Sequence, residues 1–353
     1  MKRNLFFILS LILAHSALSQ NWEALGQGFS LPIRAMYSDT LDNYLYVGGN
    51  VKDITADGRV LKGVARWDGL KWDSLGNGVS EGTNVFAFAR YHNDLYVGGT
   101  FDSVGNMKCK GIGVWKGSYW DSMGVLPFKP YTFNYYISDM AVINDELYFG
   151  GAFDSVNNLP SRCFAKWDGS ILTPIGIPSN ITFAYIFSIC EYHGYIYVGG
   201  NFSTNLYPND TIQDIMRYDG SNWSSVGGGM KGGSTMIYDM VVYDDELYVG
   251  GYFFKGDGNT GNHIQKWDGF SWSEVGGGLG GSSPSVSDLT IFQNKLYAVG
   301  TLESAGGIPA QFIASWDGTD WCGYGSYFDN IPNVSSVYND SLFIGSILDN
   351  RWR

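Results

Sequence analysis

The chain has 353 residues, is 16% aromatic and only 16% charged, contains 48 glycines and carries a formal net charge of −12. It shows no basic patch able to neutralise a run of phosphates, which excludes nucleic acid as a partner. Four histidines and four widely separated cysteines are poor stock for a catalytic triad or a metal site, so no cofactor is implied.

At the start of the chain, Lys2 and Arg3 precede an apolar run from Leu5 to Ala14, and Ala17-Leu18-Ser19 fits a small-x-small cleavage site. This predicts a signal peptide over residues 1–19. The run is short for a bilayer span. The mature chain, residues 20–353, is expected to have no transmembrane segment and to be secreted, periplasmic or at the cell surface. Losing Lys2 and Arg3 takes its net charge two lower, to −14.

From there one pentapeptide recurs about every fifty residues. It stands as Leu45-Tyr46-Val47-Gly48-Gly49, returns at residues 95–99, 147–151, 196–200 and 247–251, and decays through 296–300 to Leu342-Phe343-Ile344-Gly345-Ser346. A repeat of that period made of short strands is the mark of a β-propeller or a similar array. Each unit reads as four strands. In the fifth, residues 237–243 form an apolar strand, Asp244-Asp245-Glu246 a turn, and residues 247–253 a second strand. A Gly- and Asn-rich loop follows over 255–262, then strands over 264–267 and 272–275.

The last two strands of the unit are joined by Asp-Gly, at Asp68-Gly69, Asp168-Gly169, Asp219-Gly220, Asp268-Gly269 and Asp317-Gly318. This predicts type I′ hairpins with positive φ at both residues. Paired aromatics bracket the turn, as in Trp67 and Trp72 or Trp267 and Trp272. Indole faces can stack on sugars. A residue placed alike in nearly every unit instead does what every unit needs, which is to pack one unit on the next. The double glycines mark close backbone approach or a bulge.

Fourth strands follow only six of the seven pentapeptides. The seventh unit stops at Asn350-Arg351-Trp352-Arg353, whereas residues 21–26 near the other end match residues 71–76. The N-terminal segment is therefore expected to complete the last blade. The predicted fold is all-β: a seven-bladed β-propeller of four-stranded antiparallel blades, closed by the N-terminal strand. Closure leaves no open edge.

The pattern of Leu247-Tyr248-Val249-Gly250-Gly251 with Trp267 and Trp272, and the stretch Tyr218-Asp219-Gly220-Ser221-Asn222-Trp223, resembles the kelch repeat. The longer form is similar to repeats of fungal cortical polarity-marker propellers and of exported bacterial proteins. The resemblance covers residues 20–353 and implies a propeller scaffold. It implies no particular activity, because the matching positions are scaffold positions.

His92 and His193 occupy equivalent turn positions, where other units carry Asp42, Asn144, Asp244 and Gln293. The four cysteines are read as small buried thiols in preference to bridges. Asp139, Asp239 and Asp288 lie eight residues before the signature leucine of their units, where Ala87, Ser188 and Val334 stand elsewhere. That position is on the first strand, which lines the channel of a propeller. Three carboxylates there could bind a cation or polar ligand, or accept hydrogen bonds from a neighbouring blade. The longest departures from the repeat, residues 123–136 and 202–213, carry Phe128, Tyr131, Phe133 and Tyr207. These four are candidate contacts for a ligand, since loops on a rigid body carry recognition. The reading is a monomeric, non-enzymatic scaffold that binds a protein or glycan. The alternative is a polysaccharide hydrolase or lyase using channel or cleft carboxylates such as Asp139 and Asp239.

Overall fold

The computed structural model describes residues 22–23, 25, 29, 32–55, 58–123, 135–156, 159–179, 181–204, 212–325 and 330–346. Their secondary structure is strand apart from one 3₁₀ turn at Lys255–Asp257. Six four-stranded antiparallel sheets follow one another in chain order. The first comprises Ile33–Asp39, Tyr44–Ile54, Val60–Trp67 and Trp72–Ser74. The fifth, Met236–Tyr243, Glu246–Tyr252, Ile264–Trp267 and Trp272–Glu274, matches the predicted strands within a residue or two. Of the seventh sheet, two paired strands are described, Pro332–Tyr338 and Ser341–Ser346. Trp352 lies outside the described residues, as do residues 1–19, expected to be a signal peptide, and the loop residues Phe128, Tyr131, Phe133 and Tyr207.

The pentapeptide is the second strand of every sheet, and its glycines have two separate reasons. A Cβ on the first glycine would meet a side chain of the next sheet: Ile186 at 2.6 Å from Gly150, Ile237 at 2.7 Å from Gly199, Val286 at 2.5 Å from Gly250. A Cβ on the second glycine would run into a carbonyl oxygen of its own first strand, Tyr136 O for Gly151 and Met236 O for Gly251. Those carbonyls come close because each first strand carries a β-bulge, between Ile137 and Asp139 or between Ile237 and Asp239, for example.

The bracketing tryptophans join sheets. Trp120, Trp223 and Trp321 donate their indole N–H groups to the carbonyls of Leu75, Gly176 and Val275 in the preceding sheet, at 2.7, 2.8 and 3.0 Å. A second set of contacts repeats at the strand ends. Tyr91, Tyr192 and Tyr243 donate their hydroxyls to Asp145 O, Asp245 O and Asn294 O of the following sheet. Tyr338 makes the same bond to Asn43 O of the first sheet, at 2.9 Å. The first strand of each sheet packs on that of the next, and Pro332–Tyr338 packs on both Val286–Phe292 and Ile33–Asp39.

The Asp-Gly expectation needs correction. At these turns glycine alone has positive φ, 98° at Gly69 and 97° at Gly269. The loop has four residues, and the aspartate acts through its side chain: Leu70 N–H and Lys71 N–H both donate to Asp68 Oδ1 at 2.8 Å. These backbone bonds hold the Asp68, Asp168, Asp219 and Asp268 carboxyls below the usual carboxylate range. Two-residue turns with positive φ at both positions occur between the first and second strands, at Asn144-Asp145, Asp244-Asp245 and His193-Gly194. His193 is thus a turn residue, stacked on Tyr192. The thiol expectation holds for Cys109 and Cys163, which are buried, but Cys322 is exposed; all four cysteines are unbridged.

Candidate binding site

A cavity of about 560 Å³ is lined almost wholly by first strands. Its walls include Arg34, Phe86, Ser138, Phe187, Tyr238, Ser287 and Asn333, one residue from each of the seven repeats. Each of these is the residue skipped by the register at its strand's bulge. The bulge breaks the period-two alternation, so that two consecutive residues reach the same space. Tyr238 and Asp239 both line the cavity, as do Ser138 and Asp139, and Ser287 and Asp288.

The structure therefore brings Asp139, Asp239 and Asp288 to one cavity. Each carboxylate is also a bond between sheets. Ile189 N–H donates to Asp139 Oδ2 at 2.6 Å, Leu289 N–H to Asp239 Oδ2 at 2.8 Å and Ser335 N–H to Asp288 Oδ2 at 2.9 Å. Ser188 holds the equivalent place in the fourth sheet: its hydroxyl accepts Met240 N–H at 3.1 Å and donates to Asp239 Oδ1 at 3.2 Å. Ser335 also donates its hydroxyl to Asp288. The third to seventh sheets are thus linked at one level by a continuous run of side-chain acceptors. Ala35, Ala87 and Val334 cannot extend it.

The three aspartates are half-buried residues that line the cavity. Burial pushes Asp139 up to about 6 against the opposing pull of two backbone N–H donors, and the charge of Asp288 adds to the rise. Asp239 is raised well above the usual range by burial and then by the charges of Asp288 and Asp139. Asp288 is raised by burial, against the bonds from Ser335 and Thr290. Among the described residues, no group of three or more His, Cys, Asp or Glu is arranged to hold a metal ion.

Aromatic rings cover one side of the cavity. Centroids lie 5.9 Å apart for Phe86 and Tyr136, 5.9 Å for Tyr136 and Tyr185, 6.4 Å for Tyr185 and Phe187, and 5.7 Å for Phe187 and Tyr238. Arg34 stands over Phe86 at 5.8 Å and donates from Nε to Asn84 Oδ1 at 3.1 Å. Ser285, Ser287 and Asn333 supply a polar side. Sequence reasoning reached the three aspartates and missed this arc. The available signal was the residue immediately before the Asp139 position in each unit, which is aromatic in three units and polar in the other four.

No protein-family model matches the chain, and no curated protein matches it by sequence. Similarity appears with solved structures. The extracellular domain assigned to a hybrid two component system of B. thetaiotaomicron matches 91% of this chain at 14% identity with a TM-score of 0.57. This chain spans 38% of the length of that one. The computationally designed Ika8 protein matches 91% of the chain, and 95% of its own length, at 13% identity with a TM-score of 0.51. At these identities the likeness is one of fold, an all-β body of repeated four-stranded sheets. Among the described residues no helix is long and apolar enough to cross a membrane.

Proposed function

We infer that this chain is an exported, non-enzymatic binding scaffold for a protein or glycan: a seven-bladed, kelch-like propeller whose ring is closed by its N-terminal segment. The observation that carries the binding reading is the contrast between two neighbouring positions on the first strand. The Asp139, Ser188, Asp239 and Asp288 position is used to join sheets. The bulge position beside it carries an aromatic residue in three sheets and a polar one in the other four, and all seven face one cavity. A scaffold demands sameness, and a ligand site exploits difference.

Closure is supported by the Tyr338–Asn43 bond, by Gly345, where a Cβ would lie 3.0 Å from Ile33, and by Trp22, which sits among Tyr297, Tyr324, Leu342 and Ile344. Phe29 lies edge-on to Trp72 at 4.6 Å, a contact between the N-terminal segment and the last strand of the first sheet. Export is supported by the leader pattern in the sequence and by the extracellular placing of one similar domain.

The raised carboxyls of Asp139 and Asp239 favour one alternative, a polysaccharide-cleaving enzyme with a protonated acid. Their backbone bonds argue against it, because an acid already fixed between sheets cannot move to a leaving group. Incubation of the purified chain with neutral and acidic polysaccharides separates the readings. The scaffold reading predicts no release of new reducing or unsaturated ends. Release that disappears in Asp239→Asn would establish the enzyme.

A further inference from the structure

We propose that the cavity binds a neutral glycan, with one pyranose ring laid against the arc of Phe86, Tyr136, Phe187 and Tyr238. This rests on the binding reading above and narrows it to one site and one ligand class. The rings are half-buried, with surface left open at the cavity. The repeat does not require them, because the third and sixth sheets carry Ser138 and Ser287 at the same bulge. Phe86, Phe187 and Tyr238 therefore stand where the repeat accepts serine, although Phe86 meets Tyr136 and Phe187 meets Tyr238 across neighbouring sheets.

Their chemistry fits a sugar. A pyranose is apolar on its C–H face and ringed by hydroxyls. The cavity is aromatic on one side and polar on the other, where Ser285, Ser287 and Asn333 stand. The three aspartates line the same cavity, and carboxylate oxygens can accept more than one hydrogen bond, including from sugar hydroxyls. The volume of about 560 Å³ is within the range of small-ligand sites, about 300–1,000 Å³. Charge selects against acidic sugars. Three carboxyl groups border the space, and Arg34 is the one cationic side chain among the lining residues. Arg34 is also held by Asn84 and Phe86.

The test is a panel of soluble neutral gluco-, manno-, galacto- and xylo-oligosaccharides with their uronic-acid counterparts, screened on the purified full-length mature chain and followed by titration calorimetry with the best binder. Phe187→Ser and Tyr238→Ser place at these bulges the residue that two other sheets already carry, so folding is preserved and is checked by melting temperature. The expected result is neutral-oligosaccharide binding that weakens at least tenfold in each variant and persists in Phe270→Ser, a change at an exposed outer turn. Ser287→Trp, which fills the cavity from the opposite side, is expected to abolish binding. The proposal fails if no neutral oligosaccharide binds, or if only uronic acids bind and do so through Arg34. Binding unchanged in Phe187→Ser, Tyr238→Ser and Ser287→Trp would also overturn it, while leaving the broader reading intact with its site elsewhere.

Discussion

Asp239 is the residue where structure and titration meet. Its carboxylate accepts a backbone N–H from Leu289 and a hydroxyl from Ser188, yet burial and two neighbouring carboxylates disfavour its charge. Asp139, raised to about 6, and Asp214, raised to about 7 by burial despite bonds from Thr235 and Phe202, share that conflict. A carboxyl whose proton is held more tightly in the folded chain stabilises that state at low pH, and the benefit is lost as pH rises through the folded value. A tenfold change in proton affinity is worth about 1.4 kcal/mol, so Asp139 alone costs the native state on the order of 2–3 kcal/mol at pH 8. The melting temperature is therefore expected to rise between pH 8 and pH 5. Below about pH 4 the turn aspartates such as Asp68, whose carboxyls are held low, pull the other way. Asp239→Asn keeps an acceptor without the charge and should flatten the rise. Asp239→Ala leaves Leu289 N–H unpaired and should cost about 1–3 kcal/mol. Thermal scans across this range check all three, and a melting temperature that falls steadily from pH 8 to pH 5 would show that these carboxyls are ionised without penalty.

At the scale of the element, the sheet was legible in the sequence because its marks are local. Leu-Tyr-Val-Gly-Gly, a polar turn and a pair of aromatics each follow from one strand's needs. The glycines illustrate the energetics. Gly250→Ala would push a methyl against the β-branched side chain of Val286 in the next sheet, which has little freedom to turn aside. Overpacking of this kind costs about 1–3 kcal/mol. Gly256→Ala, which meets open space, should stay within about 0.5 kcal/mol. Equal losses in denaturant titrations of the two variants would remove the steric explanation. Two features were not legible. Asp-Gly suggested a two-residue hairpin, whereas the loop has four residues and takes its order from the Asp68 side chain. The non-glycine pairs Asn144-Asp145 and Asp244-Asp245 hold the positive φ values instead. The bulge was the larger omission. Strict alternation sends Tyr238 and Asp239 to opposite faces; the extra residue brings both to one cavity, and only the register shift between Ile237 and Asp239 reveals this. The aromatic side of the candidate site was hidden for that reason, while the carboxylates stood out by their spacing.

For the whole molecule, neighbouring sheets are joined by bonds that repeat at three places: aspartate or serine at the cavity, tyrosine at the strand end, tryptophan at the last strand. None is strong alone, since a typical intramolecular hydrogen bond contributes about 1 kcal/mol. Their repetition makes neighbours cooperative, and a ring lets the last unit supply the same contacts to the first. The Tyr338–Asn43 bond is the local form of that claim. It can be tested at long range with spin labels at Leu41→Cys and Asp340→Cys, both exposed turn positions, in a chain whose exposed thiol Cys322 is replaced by serine. Labels at Asn93→Cys and Asp145→Cys in consecutive sheets provide the reference. Closure predicts that electron–electron double resonance gives the first pair a short distance comparable to the second. Sheets stack about 10 Å apart, so an open row would separate the first pair by about 60 Å, and that result would contradict the closed ring on which the single shared cavity depends.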